Sequence, residues 1–405
     1  MIKFLSFVTL LLLFVCLPVT AETDTATELE RLQAQLKALT AQVNRLEKRL
    51  QSEQSQEKNQ SSQETKQPQT SEKPEPAIQF SGDMRGRYEY IDFRDRSIRQ
   101  RSRIRLRLAA EAHINESTSL HMRLSTGGDN PTSTNLTLDG GFSRKDFGLD
   151  RAYIKHQLTN QQQLLLGKMS NPYQRIGGSG FLFDSDLNPE GLAWKLDHQQ
   201  WHAVLGTYYL NERSNDDNIM LYAAQGAFEQ AFTNSFFRLG AGYYDYDNLQ
   251  GAPPIYRNEQ SGNRFDDNNR MLNDFNIAEF YAHYENHQLP RPLSLFTSYL
   301  KNTAADNENE AFIAGFKYGS TKKTGDWQLG YSYQYTEADA VYGLFNDSDF
   351  AGGETDSRGH TYQIGYGLNK NISMSLTWID SVRGMHLGTA TDYDRLMLDL
   401  SYWFK

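Results

Sequence analysis

Cysteine is almost missing from this chain: its 405 residues hold a single one, Cys16, inside the first apolar run. With that run removed, no thiol would remain and no disulfide could form. The run itself, residues 4–17, falls short of the roughly 20 apolar residues that a spanning helix requires. Tryptophan is scarce, 5 residues against 23 Tyr and 22 Phe. Excess positive charge is absent too. The net charge is −9 and no basic run carries a reading motif, which argues against a nucleic-acid partner. No Gly-rich phosphate loop or elbow serine is present, so no catalytic residue and no cofactor is assigned.

The first 21 residues read as a secretory signal. Lys3 supplies the positive start, and Val19-Thr20-Ala21 supplies small residues at a cleavage site before Glu22. In segment 22–50 Leu29, Leu32, Leu36, Leu39, Val43, Leu46 and Leu50 recur at alternating spacings of 3 and 4. This places them on the seam of a short periplasmic coiled coil that self-associates. Three chains in that coil are expected, by analogy alone. Residues 51–77 are Gln, Ser, Glu, Lys and Pro with little that is apolar, the composition of a disordered tether.

From Ile78 onward the period changes to two. Arg99, Arg101, Arg103, Arg105 and Arg107 alternate with Ile104, Leu106, Leu108, Ala110 and Ala112. On a β-strand this puts guanidinium groups on one face and aliphatic groups on the other. Similar segments follow near 118–126, 148–158, 162–170, 190–197, 201–211, 219–229, 233–246, 275–286, 292–301, 310–319, 326–336, 358–368, 371–380 and 393–404. With the segment at 80–90, that makes about sixteen strands, and no helical period interrupts them. Every second connection is tight (near 113–117, 159–161, 198–200, 230–232, 287–291, 320–325 and 369–370), while long ones lie at 127–147, 171–189, 247–274, 337–357 and 381–392. The expected fold is all-β: a transmembrane antiparallel barrel over 78–405, apolar toward outer-membrane lipid and polar toward a lumen, preceded by the coiled-coil helix. The last strand ends in Phe404, an aromatic of the kind the barrel assembly machinery reads, followed by Lys405.

The stretches SGDMRGRYEY (81–90), RSRIRLRL (101–108), STNLTL (133–138), LDRAYI (149–154), GKMSNPY (167–173) and FDSDLNPEGLAW (183–194) resemble the "putative porin" family of Gram-negative outer-membrane barrels. The resemblance is dense over about residues 80–196. It implies a passive pore and names no solute.

The arginines would line that pore, together with Arg85, Arg87, Arg123, Arg151 and Lys155, and rings of such groups favour anions. Neutralisation by Asp83, Glu89 and loop carboxylates is the competing reading. In porin-like barrels the third outer loop narrows the channel. Here it falls on 171–189, with Gly177, Gly178 and Gly180 for backbone freedom and Phe181, Leu182 and Phe183 as anchors. Asp184, Asp186 and Glu190 would face the arginines across a transverse field. No metal site is assigned: His198 and His202 straddle a turn, and Asp266-Asp267 and Asn346-Asp347-Ser348-Asp349 lack the closing Glu of a calcium loop and read as solvated.

The function expected is passive diffusion of small hydrophilic solutes through an outer-membrane porin, without enzymatic activity. The alternative is a structural tether that joins outer membrane to peptidoglycan through the coil. A barrel hydrolase ranks third.

Overall fold

The structure, a computed structural model, describes residues 78–94, 96–388 and 390–405. The expected signal, the heptad leucines and the tether lie outside the described residues. Within the described residues the two-residue period becomes one closed antiparallel sheet. It consists of β1 (Ile78–Phe93), β2 (Arg99–Asn115), β3 (Thr118–Thr126), β4 (Leu136–Thr137), β5 (Phe147–Thr159), β6 (Gln162–Lys168), β7 (Glu190–His198), β8 (Trp201–Asn211), β9 (Ile219–Phe232), β10 (Ser235–Asp247), β11 (Phe275–Asn286), β12 (Leu293–Asn302), β13 (Glu310–Gly319), β14 (Trp327–Thr336), β15 (Ser357–Asn369), β16 (Ile372–Arg383) and β17 (Thr391–Phe404). The two-residue β4 is a loop fragment paired with β2, and the other sixteen strands form the wall.

Closure comes from β1, which pairs with β2 on one side and β17 on the other, so the wall has no free edge. Register carries the face assignment around the seam. Met84 lies opposite Leu106 and Tyr402, while Asp83 lies opposite Arg107 and Trp403. Leu166, Leu192, Leu205, Leu239, Phe280, Ile364, Leu376, Leu398 and Leu400 all stand exposed on the outward face. A soluble protein rarely shows so continuous an apolar surface, whereas lipid covers it at no cost. Among the described residues no helix is long and apolar enough to cross a membrane, and the strands do the crossing.

Seven connections at one end are short, among them 160–161, 199–200 and 370–371. The eight at the other end include L2 (127–146), L3 (169–189), L5 (248–274) and L7 (337–356). Several expected boundaries shift by a few residues, and two matter most. The turn read at 230–232 is strand, because β9 and β10 stay paired up to Phe232↔Ser235 and reverse over 233–234. Strand β6 stops at Lys168, so L3 leaves the wall two residues earlier than expected.

An arginine at Leu398, midway along β17 on the outward face, should cost about 2–4 kcal/mol of folding free energy in bilayers. An arginine at the inward Thr361 should cost under about 1 kcal/mol. Denaturant titrations in lipid vesicles check the contrast, and equal costs would contradict the face assignment.

Candidate functional site

The site begins with a steric and electrostatic demand: a run of odd-numbered arginines on β2 points into a space of limited volume. Their partners come first from adjacent strands. Across β1 and β2, Asp83 takes Arg105 Nη2 at 2.8 Å and Arg107 Nε at 2.7 Å. Glu89, fully buried, accepts from Arg101 and, at 2.7 Å, from Arg395 of β17. Arg87 grips Asp399 with two parallel bonds of 2.6 and 2.8 Å, the fork geometry that suits guanidinium to carboxylate. On β5 a bulge between Leu149 and Arg151 turns Asp150 inward beside its neighbour, where it binds Arg123.

Loops supply the remaining counter-charges. From L3, Asp186 approaches Arg107 Nη1 at 3.3 Å and accepts the amide and hydroxyl of Thr134 at 3.1 and 2.9 Å. From L7, Asp349 bridges Arg87 at 2.7 Å and Arg395 at 2.9 Å. From L2, Asn135 accepts Arg85 at 2.7 Å through its side chain and Arg103 at 2.9 Å through its carbonyl. Eight guanidinium groups thus share six carboxylates, and a ninth, Arg151, is held by the neutral amide of Asn188 at 2.6 Å.

L3 reaches this position by crossing the lumen. Gly177 takes φ 59, and a Cβ there would fall 2.6 Å from the Phe296 ring on the far wall. Lys317 Nζ donates to the Gly177 carbonyl at 2.6 Å. Tyr173 and Phe183 of L3 meet Tyr244 edge-on at centroid distances of 5.5 and 5.3 Å. L7 packs its own rings, Tyr342 and Phe345, against Tyr246 and Phe275. The two loops then lock together: the Asp184 amide donates to the Phe345 carbonyl at 2.8 Å, and the Ser348 amide donates to Asp184 Oδ2 at 2.9 Å. Gly180 sits so close to Asp347 that a Cβ would lie 2.9 Å from that residue's own Cβ.

The arginines expected on the inward face are there. Arg99 is exposed at the loop rim and Lys155 is half-buried in register with Ser119. Three acidic assignments change. Glu190 opens β7 instead of belonging to L3; it faces outward, exposed, and pairs with Lys168 at 2.6 Å. Asp184 turns to the backbone amides of Asp186 in L3 and Ser348 in L7, away from the arginines. Asn346-Asp347-Ser348-Asp349 is not a solvated loop: Asn346 is buried and Asp349 joins the charged cluster. Asp150, Arg395 and Asn135 were not singled out from the sequence, and Asp349 was read there only as a solvated loop carboxylate. The two-residue period of the last strand marks Arg395 as inward-facing, while no local pattern marks Asp349.

Burial, reinforced by the nearby charges of Asp347 and Asp186, pushes the Asp184 carboxyl up to about 8. Asp349 moves the other way, held well below the usual carboxylate range by Arg395 and Arg87 despite its burial. A raised carboxyl pKa means that the folded loops hold the proton more tightly than the unfolded chain does. The Asp184 contribution is therefore fully present below about pH 4 and lost as pH rises through about 8.

Family comparison gives one match, to a family described as "Putative porin", over residues 94–278 and 263–404. No curated protein matches the chain. Among solved structures, Pseudomonas putida OprB is similar at TM-score 0.55 and 11% identity, covering 81% of this chain and 94% of that one. Salmonella typhi OmpF, in complex with daunomycin, is similar at TM-score 0.51 and 12% identity, covering 81% and 97%. At these identities the likeness is one of fold.

Asp184→Asn should remove the pH dependence of the loop clasp. Its thermal midpoint relative to the parent chain should rise between pH 6 and pH 9. A difference that stays constant over that range would contradict the buried, protonated Asp184.

Proposed function

The chain belongs to the "Putative porin" family, and from that premise we propose that it is an outer-membrane diffusion channel for small hydrophilic solutes, with a preference for anions. Transport is driven by concentration gradients alone and calls on no cofactor. The observation that carries the reading is the surplus of guanidinium groups in the cluster around β1, β2 and β17: nine against six carboxylates, with Arg151 held by a neutral partner and Lys155 on the same strand. A fixed positive surplus in a confined aqueous path raises the local concentration of anions over cations.

L3 and L7 define the narrow part of the path, and both depend on the arginine wall for their placement. Asp186 belongs to this constriction; Asp184 serves it by joining the two loops. The channel works as a homotrimer, with residues 22–50 forming a periplasmic coil ahead of the tether and residues 1–21 directing export. The heptad and the barrel supply separate self-association surfaces, so loss of the coil leaves the channel conducting.

Zero-current potentials across a planar bilayer in a potassium chloride gradient test the reading. The parent channel should show the sign of anion preference, and Arg151→Gln with Lys155→Gln should lower that preference without closing the pore. Cation preference in the parent would overturn the selectivity, and absence of conductance would overturn the channel.

A further inference from the structure

The ion pairs of the lumen do not spread the positive surplus evenly. Followed from partner to partner, they divide the cluster into separate sets. Arg105 and Arg107 share Asp83 and Asp186, and Arg123 has Asp150, so both of these sets are neutral. Arg85, Arg87, Arg101, Arg103 and Arg395 are linked through Glu89, Asp349 and Asp399 alone. Five guanidinium groups against three carboxylates leave two positive charges in one connected set, while Arg151 stands apart with Asn188. A guanidinium does not discharge by losing its proton, so those two charges call for anions from outside the chain.

The set opens at one place. Arg101 and Arg103 line one wall of a cavity of about 200 Å³, whose other sides come from L2, L5 and L7. The groups left without partners around it are donors. Arg101 commits only its Nε, to Glu89, and its two Nη groups meet no partner among the described residues. Arg103 keeps a buried Nε without a partner. Asn346 of L7 is 1% exposed; its Oδ1 accepts the Asp347 amide, and its buried Nδ2 is unpaired. Buried donors left unpaired are costly, and one oxyanion answers several of them at once. Glu259, the carboxylate among the lining residues, is exposed on the L5 side.

A second cavity of about 420 Å³ shares Arg103, Asn130, Ser133 and Tyr256 with the first. Its own charges balance. Lys145 pairs with Asp139, Arg257 pairs with Asp129, and Arg144 and Asp146 line it as well. A solute with a charged head and a neutral polar body therefore fits the two chambers together, head at Arg101 and body in the balanced space.

We propose that Arg101, Arg103 and Asn346 form a docking station for a phosphoryl dianion, carried by inorganic phosphate or by a phosphomonoester of a small hydrophilic molecule. Two negative charges match the surplus of two, and several oxygens suit guanidinium and amide donors better than a single chloride does. The station rests on the anion preference of the proposed function and names the group that this preference serves. Arg101 and Arg103 lie nearer the loop end of β2 than Arg107, which meets L3, so the solute is gathered before it reaches the constriction.

The test uses the full-length chain in planar bilayers at pH 8, where phosphate is mainly dianionic. Zero-current potentials in potassium chloride are read first. Sodium phosphate or glucose 6-phosphate, added on the side the loops face, should then reduce the chloride current saturably. Arg101→Gln leaves Glu89 with Arg395 and should raise the half-blocking concentration about tenfold, the loss expected for one charged hydrogen-bond partner. Asn346→Asp keeps the acceptor for the Asp347 amide, puts a carboxylate among the donors and should weaken the block at least as much. Arg151→Gln removes the same charge from outside the set and should leave the block within about twofold of the parent. Heat-modifiability shows that each variant barrel has folded, and either of the first two variants suffices. A lower half-blocking concentration for glucose 6-phosphate than for phosphate identifies the ester as the solute, and an equal or higher one identifies the free oxyanion. An anion-preferring pore without saturable block overturns the station and leaves the channel standing. Equal weakening by Arg101→Gln and Arg151→Gln overturns it too, since a diffuse field then accounts for the block. If the parent carries no current or prefers cations, the proposed function fails, and calorimetric phosphate titration of the detergent-purified chain judges the station by itself: binding that Arg101→Gln weakens supports it, and absence of binding overturns it.

Discussion

The structure turns on Arg87. It sits almost entirely out of solvent, and its guanidinium is satisfied by Asp399 from the adjoining strand and Asp349 from a loop 262 residues further along the chain. A guanidinium cannot shed its charge to relieve burial, so it must be given carboxylates. Removing one partner of such a buried pair costs about 3–5 kcal/mol. The same demand repeats along the row from Arg101 to Arg107, and adjacent strands meet only part of it through Asp83, Glu89 and Asp399. The rest is met from L2, L3 and L7. The arginine wall is thus the anchor that draws loops into the lumen, as well as a source of positive field.

That anchor explains why the lumen is asymmetric. On the side of β6 to β13 the inward loops are held by rings and aliphatic groups, with Tyr173, Phe183, Tyr244 and Tyr246 at the centre. On the side of β17, β1 and β2 they are held by charge. Between these two attachments Asp184 joins L3 to L7 through backbone amides, which gives the constriction a single mechanical unit built from two distant segments. Meanwhile the outward face needs no specific partner at all, because lipid satisfies any apolar group placed there.

The barrel was legible because its code is local. A period of two fixes the face of every residue, and the alternation of tight and long connections fixes the count and the side on which the chain begins and ends. Arg99 to Arg107 could be placed inward with nothing more than that rule. The constriction was legible only in part, because its contacts pair residues far apart in the chain. The glycines of 177–180 marked a loop free to fold inward, yet nothing near Asp349 announces that it meets Arg87 and Arg395. Local composition read 346–349 as solvated, and the long-range ion pairs overrode it. Glu190 failed for a simpler reason: it already stood on the strand read at 190–197, where the two-residue period puts it on the same outward face as Leu192.

Single-channel recording of Asp349→Asn tests most directly whether arginine-to-loop ion pairs hold the constriction in place. Loss of that carboxylate leaves Arg395 with Glu89 and Arg87 with Asp399, so the barrel stays closed while L7 loses its charged anchor. The account predicts a larger mean conductance with rapid fluctuations between levels. A conductance and noise spectrum indistinguishable from those of the parent channel would contradict it.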